Sequence, residues 1–344
     1  MRADDQSTGQ AAILATPAGQ TVPVGPGVMA PALEAVRQGR NGWLSRLLQN
    51  RKALAGALIL LLFVTTALLA PVLAPGDPTD FVARPHQPPS RAHLLGTTGS
   101  GQDVLDQTIW GARFSLGIGL LTGLLTTVVG VVIGMTAGYF RGRIDDLLSL
   151  VMNVFLIIPS LPLLVTLAAF LGSGRAAYFV FVLTLTGWAW PARVLRSQTL
   201  SLREKDFVSA AVVGGERSPR VIFREILPNM LSIIVGSFFG STIYAIGAQS
   251  GLEFLGLGNP SVVSWGTNLY WAGNNAGLLT GAWWTFVPAG TCIALVAFAF
   301  ALVNYAIDEL TNPRLRAQRE AGHVLKQRSL RVSGSRATPV VRVA

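Results

Sequence analysis

Charge is scarce in this sequence. Asp, Glu, Lys and Arg make up 13% of its 344 residues, about half the share found in an ordinary soluble domain. Apolar residues reach 51% and the mean hydropathy is +0.49, so the composition is that of a membrane protein. Cysteine is almost missing: Cys292 stands alone inside an apolar run. A single thiol excludes an internal disulfide and a cysteine metal cluster and reads as a small packing residue. The histidines, His86, His93 and His323, never fall three to five residues apart, so zinc-type spacing is absent. Lysine occurs only at Lys52, Lys205 and Lys326, never after a glycine, which rules out a phosphate-binding P-loop. H-E-x-x-H and G-x-S-x-G are missing as well. The chain is expected to be no enzyme, with no catalytic residues, no metal site and no cofactor of its own.

What the sequence does contain is long apolar runs. Crossing a bilayer takes about 20 apolar residues in a helix, and six stretches qualify: 53–74, 114–139, 147–171, 177–195, 229–252 and 284–306. The expected fold class is therefore all-α, a polytopic membrane protein with six transmembrane helices. Net charge is +10, yet the basic residues sit between the apolar runs and at the two tails rather than in a stripe interleaved with aromatics, which argues against nucleic-acid binding. With a cytoplasmic N-terminus, 23 of the 27 Lys and Arg residues fall inside; only Arg84, Arg91, Arg113 and Arg175 fall outside. By the positive-inside rule both termini are expected in the cytoplasm. Residues 1–42 are rich in small residues and proline and read as a disordered cytoplasmic segment. Trp43, Leu44, Leu47 and Leu48 share one helical face beside Arg40, Arg46, Arg51 and Lys52, as in a helix lying on the inner membrane surface. Residues 43–113 then hold that helix, the first span and an extracytoplasmic loop; 114–316 form the core; 317–344 form a basic disordered tail.

No ionisable residue lies in the middle of any span; Asp145, Asp146, Glu253, Asp308 and Glu309 sit at the ends. Carriers driven by ions or protons place such groups inside the membrane, so a stand-alone carrier or channel is the weaker reading, as is a membrane enzyme or scaffold. Spans two and five carry glycine ladders, at Gly119, Gly123, Gly130, Gly134 and Gly138 and at Gly236, Gly240, Gly247 and Gly251. Small residues at that spacing let helices approach closely, within the chain or against a partner.

The informative loop is Ser201 to Pro228, expected on the cytoplasmic side and too patterned for a connector. Residues 203–213 favour a helix with Phe207, Ala210, Ala211 and Gly214 on one small or apolar face. Gly214 and Gly215 end it. Ser218 and Pro219 form an N-cap and first-turn pair for a second helix, which Pro228 stops as span five begins. The result is an elbow with an apolar knob flanked by charge. It suits insertion into a groove on a cytosolic protein, or contact with lipid alone.

These residues resemble the "EAA" segment of permeases in ATP-binding-cassette importers. Ser209, Ala210, Ala211, Gly215 and Pro228 occupy the pattern's positions, with Ser209 where Glu is usual and Asp206 or Glu216 available to substitute. Other segments are similar to the C-type dipeptide and oligopeptide permeases. They include 47–54, 93–97, Asp103-Val104, Gly111-Ala112-Arg113, Phe254-Leu255-Gly256-Leu257-Gly258, Ser264-Trp265-Gly266 and 312–316. The resemblance implies a type I importer permease fold and one of two non-identical permeases in a heterodimer. It also implies two cytosolic ATPases that bind ATP and Mg, an extracytoplasmic substrate-binding protein and a prokaryotic plasma membrane. The coupling residues would be Asp206, Phe207, Ser209, Ala210, Ala211, Gly214, Gly215 and Pro228. Trp190, Ser241, Tyr244 and Gln249 are candidates for lining the path. The implied cargo is a di- or oligopeptide, with oligosaccharides and nickel chelates as the alternatives.

Overall fold

The structure, a computed structural model, describes residues 13–14, 22–23, 50–171 and 176–311. It divides into two units, Met1–Asn50 and Arg51–Ala344. In the first, strands β1 (Ile13–Leu14) and β2 (Val22–Pro23) pair antiparallel, with Ile13 opposite Pro23. The rest of the segment read as disordered, the surface helix at 43–49, the 312–316 motif and the basic tail lie outside the described residues.

The second unit is helical. Helix α1 (Arg51–Leu68) continues after a break at Leu69 into the short α2 (Ala70–Leu73). An irregular stretch leads to α3 (Val104–Phe140), the central helix. After it come α4 (Gly142–Ile157), α5 (Ser160–Leu171), α6 (Ala176–Gly187) and α7 (Ala189–Arg203). The elbow holds α8 (Asp206–Val213) and the one-turn α9 (Ser218–Arg220). A π-helical turn, Val221–Ile226, leads into α10 (Leu227–Phe254). Finally come α11 (Trp265–Asn274), a 3₁₀ turn (Trp283–Thr285) and α12 (Val287–Thr311). Among the described residues, four segments are single helices long and apolar enough to cross a bilayer, and the bent pairs α4–α5 and α6–α7 bring the number to six if each is one span.

Several of the expected spans differ from the helices that form. α3 starts ten residues before the apolar run at 114. Asp103 caps it, its side chain accepting from the amides of Leu105 and Asp106 at 2.8 and 3.4 Å, so the helix begins where its amides are satisfied rather than where apolarity begins. The run at 147–171 is not one straight helix: α4 and α5 meet at 87°. Pro159 has no amide hydrogen and holds Ile158 extended (φ −66°, ψ 125°), the conformation a residue before proline favours. The elbow's second helix is not stopped by Pro228. The helical path from Ser218 runs on to Phe254, because the π turn widens it just ahead of the proline, with the Leu227 amide donating to the Ile222 carbonyl. A π bulge is one way to carry a helix past a missing donor. At the start of this path, Arg217 (φ −70°, ψ 144°) is the flanking residue, and Ser218 and Pro219 are the first helical ones.

Glycine sets how closely α3 meets its neighbours. A Cβ on Gly119 or Gly123 would lie 2.3 Å from Ile246 or 2.2 Å from Thr242 on α10. One on Gly134 would lie 2.4 Å from the Ala192 carbonyl on α7. The ladder on α10 behaves differently: Gly240, Gly247 and Gly251 face open space. Trp265, the fully buried first residue of α11, closes the end of the bundle. Its indole donates to the Thr108 carbonyl, its amide to Ser115 Oγ (both 3.1 Å), and its ring meets Phe63 edge-on at 5.7 Å.

Replacing Gly134 with Leu forces α3 and α7 apart and costs about 1–3 kcal/mol, whereas Gly247→Ala stays within about 0.5 kcal/mol. Thermal unfolding in detergent should show a clear drop for the first and none for the second.

Candidate functional site

Two places stand out: the elbow, and a cavity at the two helix bends. One buried side chain anchors the elbow to the bundle. Val208 is buried in a cluster with Met135, Tyr139, Leu195, Val221, Ile226 and Met230, against which Ala211 packs half-buried. The first turn of α8 is acidic at Asp206, which suits the positive end of a helix. Gly214 and Gly215 end the helix, and Gly215 takes the left-handed conformation (φ +82°). Opposite the anchor, Ser209 and Ala210 are exposed, and so are apolar side chains that water does not favour: Phe207, Val212, Phe223 and Val213, the last 88% exposed. Asp206 is exposed and makes no ion pair among the described residues, while Glu216 pairs with Arg220 at 3.1 Å.

Polar contacts tie this elbow to the helices above it. Arg141, itself at positive φ in the α3–α4 turn, pairs with Glu204 at the end of α7. Arg203 donates to the Tyr139 carbonyl and lies 5.5 Å from that ring's centroid. Arg196 grips Asp145 with two bonds, 2.5 and 2.7 Å, and Arg193 donates to Asn153 at 3.1 Å. Exposed pairs such as Arg141–Glu204 contribute at most about 1 kcal/mol. The forked Arg196–Asp145 pair is more enclosed and better aligned. It clamps α4 to α7.

Those same two helices reach the cavity. It measures about 440 Å³ and is lined where α4 breaks into α5, where α6 bends into α7, and by α10. Ser160, Thr186, Ser241 and Tyr244 give it hydroxyl groups, Trp190 an indole, and no charged side chain lines it. Tyr244 on α10 thus faces the same cavity as Ser160 and Thr186 from the two bends. Of the residues proposed from sequence to line a path, Trp190, Ser241 and Tyr244 meet here. Gln249 is elsewhere. It is fully buried and donates to Glu253 Oε1 at 3.1 Å.

Glu253 is a residue that sequence reasoning left at the end of a span. It is 2% exposed. Ser264 Oγ donates to its other oxygen at 2.6 Å, and that same Ser264 caps α11 through the Thr267 amide. The turn after α10 folds back over the carboxyl group, and a Cβ on Gly266 would stand 2.3 Å from Glu253 Oε2. The signal available in the sequence was Phe254–Gly258 followed by Ser264-Trp265-Gly266, two glycine-bearing stretches that bracket the return. Among the described residues no group of three His, Cys, Asp or Glu side chains is arranged to hold a metal ion.

Comparison with known proteins agrees in one direction. A family model described as "Binding-protein-dependent transport system inner membrane component" matches residues 130–317, and one described as "N-terminal TM domain of oligopeptide transport permease C" matches residues 39–89. The chain is 34% identical over 276 residues to the dipeptide transport system permease protein DppC of Bacillus subtilis, covering 79% of this chain and 84% of that one. It is 31% identical over 274 residues to the oligopeptide transport system permease protein OppC of the same organism, covering 79% and 88%. With OppC of Mycobacterium tuberculosis it shares 34% over 278 residues, covering 80% and 94%. Among solved structures, the MetNI methionine ABC transporter in an inward-facing conformation aligns with a TM-score of 0.47 and 18% identity, covering 60% of this chain and 95% of that one.

The cavity predicts a labelling pattern. With Cys292 replaced by Ser, a cysteine at Ser241 or Trp190 should react readily with a water-soluble maleimide, because both side chains line the open cavity. A cysteine at Gln249 should stay unlabelled in the folded protein. Mass spectrometry of the labelled chain reads the difference.

Proposed function

The chain belongs to the binding-protein-dependent transport system inner membrane components, and on that premise we propose that it is a permease subunit of an ATP-driven importer of dipeptides or oligopeptides. The observation that carries this reading is the elbow. Phe207, Val212, Val213 and Phe223 are exposed on a segment that the buried Val208 anchors, an apolar knob in a chain with no nucleotide motif of its own. Such a knob fits a groove on a separate ATPase. Hydrolysis belongs to that partner, which binds ATP and Mg; this chain catalyses nothing.

The rest of the assembly follows from the same reading. Both termini face the cytoplasm, so the elbow and its basic neighbours are on the ATPase side. Two ATPases serve two permeases, this one and a homologous second chain. The open glycines of α10, Gly240, Gly247 and Gly251, and the cavity between the bends then lie on the side that the second permease completes. An extracytoplasmic binding protein delivers the cargo to the Trp- and Asn-rich stretch 259–284. A hydroxyl-rich cavity without charge suits peptide backbones of varied side chains, with a few polar groups fixing orientation. In the elbow, Ser209 replaces the usual Glu. Asp206, exposed and unpaired among the described residues, supplies the negative charge facing the ATPase, while Glu216 is engaged with Arg220. Dipeptide and oligopeptide transport named for the relatives supports the choice of cargo.

The test is Val213→Asp, made at a side chain 88% exposed, so the fold is spared. An apolar anchor at the centre of an interface is worth about 2 kcal/mol. The expected result is about 30-fold weaker binding of the ATPase, with membrane insertion and melting unchanged. Undiminished ATPase co-purification would contradict the proposal.

A further inference from the structure

Two cavities on the α3–α6 side of the molecule run into each other. The larger, about 640 Å³, lies between α3 and α6 and is walled by apolar side chains such as Leu121, Leu125, Val180 and Phe181. The second, about 510 Å³, shares Gly117, Ile118 and Ala176 with it and has Asp77, Thr79, Trp110 and Arg113 among its lining residues. Nothing stands within 4 Å of where a Cβ on Gly117 would be, so the junction is open. Along α3 the apolar trough runs from Gly117 to Ile133, about 24 Å at the helical rise. That is the length of an extended acyl chain, and the trough is parallel to a helix long enough to cross the bilayer.

The polar end carries both signs of charge. Arg113 makes no ion pair among the described residues; its guanidinium lies 5.9 Å from the Trp110 ring centroid. The Trp110 indole donates to the Ala74 carbonyl at 3.1 Å, which fixes the ring at the rim, the depth where tryptophan gathers in membrane proteins. Asp77 is exposed, and hydrogen bonds from the Thr79 hydroxyl and amide, 2.6 and 2.9 Å, hold its carboxyl below the usual carboxylate range. An unpaired cation and an ionised carboxylate thus flank the mouth of an apolar trough. An arginine on the side of the membrane where this chain has few basic residues gains a role by this arrangement.

We propose that the trough binds one glycerophospholipid with a zwitterionic aminoalkyl head, its acyl chain along α3, its phosphate on Arg113 and its ammonium toward Asp77. A purely anionic head would satisfy Arg113 and be repelled by Asp77. The site is separate from the cavity at the helix bends and stands or falls independently of the importer reading.

The test is native mass spectrometry of the full chain, purified with its bound subunits, from nanodiscs of phosphatidylethanolamine mixed with phosphatidylglycerol. One phosphatidylethanolamine should stay bound per chain. Arg113→Gln should lower its retention roughly tenfold, the effect of losing one charge-assisted contact, and Arg113→Lys should restore most of it. Asp77→Asn should erase the preference over phosphatidylglycerol, and Ala177→Trp, which fills the trough, should abolish retention. Loss of all lipid from the wild type, retention indifferent to Arg113→Gln, or equal retention of the two lipids by the wild type would each overturn the proposal. So would cross-linking of a cysteine at Leu121 to another polypeptide, which would make the trough a protein interface.

Discussion

Bilayer hydrocarbon offers a backbone amide no partner, so a helix can be interrupted there only where other groups meet the freed donors and acceptors. This chain interrupts its helical path in three informative places. At Pro159 the chain leaves one helix extended and starts another at 87°. Near Trp188 it bends by 42° between α6 and α7. Before Pro228 it widens into a π turn and continues. The first two interruptions, together with α10, enclose the cavity. The third carries span five out into the elbow. Both candidate sites lie where the backbone pattern changes, and the uninterrupted α3 packs against the helices that carry them.

The electrostatics follow the same division. Charged side chains are absent from the cavity lining and gather at the elbow end, where Arg196–Asp145, Arg141–Glu204 and Arg203–Tyr139 stitch α3, α4 and α7 together. α4 and α7 therefore run as a clamped pair from the elbow to the bends. At the opposite end hydrogen bonds hold the helices. Ser264 and Gln249 bond to the buried Glu253, and Trp265 bonds to Thr108 and Ser115.

How much of this was legible in the sequence depended on the range of the interaction. The end of the elbow's first helix was readable because Gly214-Gly215 act within a turn of themselves, whereas Ser218, expected as the next cap, lies inside the helix that Arg217 precedes. The central helices were readable from apolar length, but their ends were not. Asp103 caps α3 far outside the apolar run, and only its bonds to Leu105 and Asp106 reveal it. Proline misled in both directions. Pro159 was passed over inside an apolar run and makes the sharpest bend, while Pro228 looked like a stop and is carried through by the π turn. The glycine ladders looked alike, yet α3 uses its glycines for contact and α10 leaves most of its own open. Gln249 and Tyr244 share a helix, and nothing local says which of them meets the cavity and which the buried Glu253. That depends on where α11 and the bends pack.

The central claim is that this chain supplies a path and a coupling surface but no motor. Uptake of a labelled dipeptide into proteoliposomes tests it most directly, comparing the chain alone with the chain reconstituted with its second permease, ATPases and binding protein. The account predicts uptake only in the full assembly and only with ATP. ATP-independent uptake by the chain alone would contradict it.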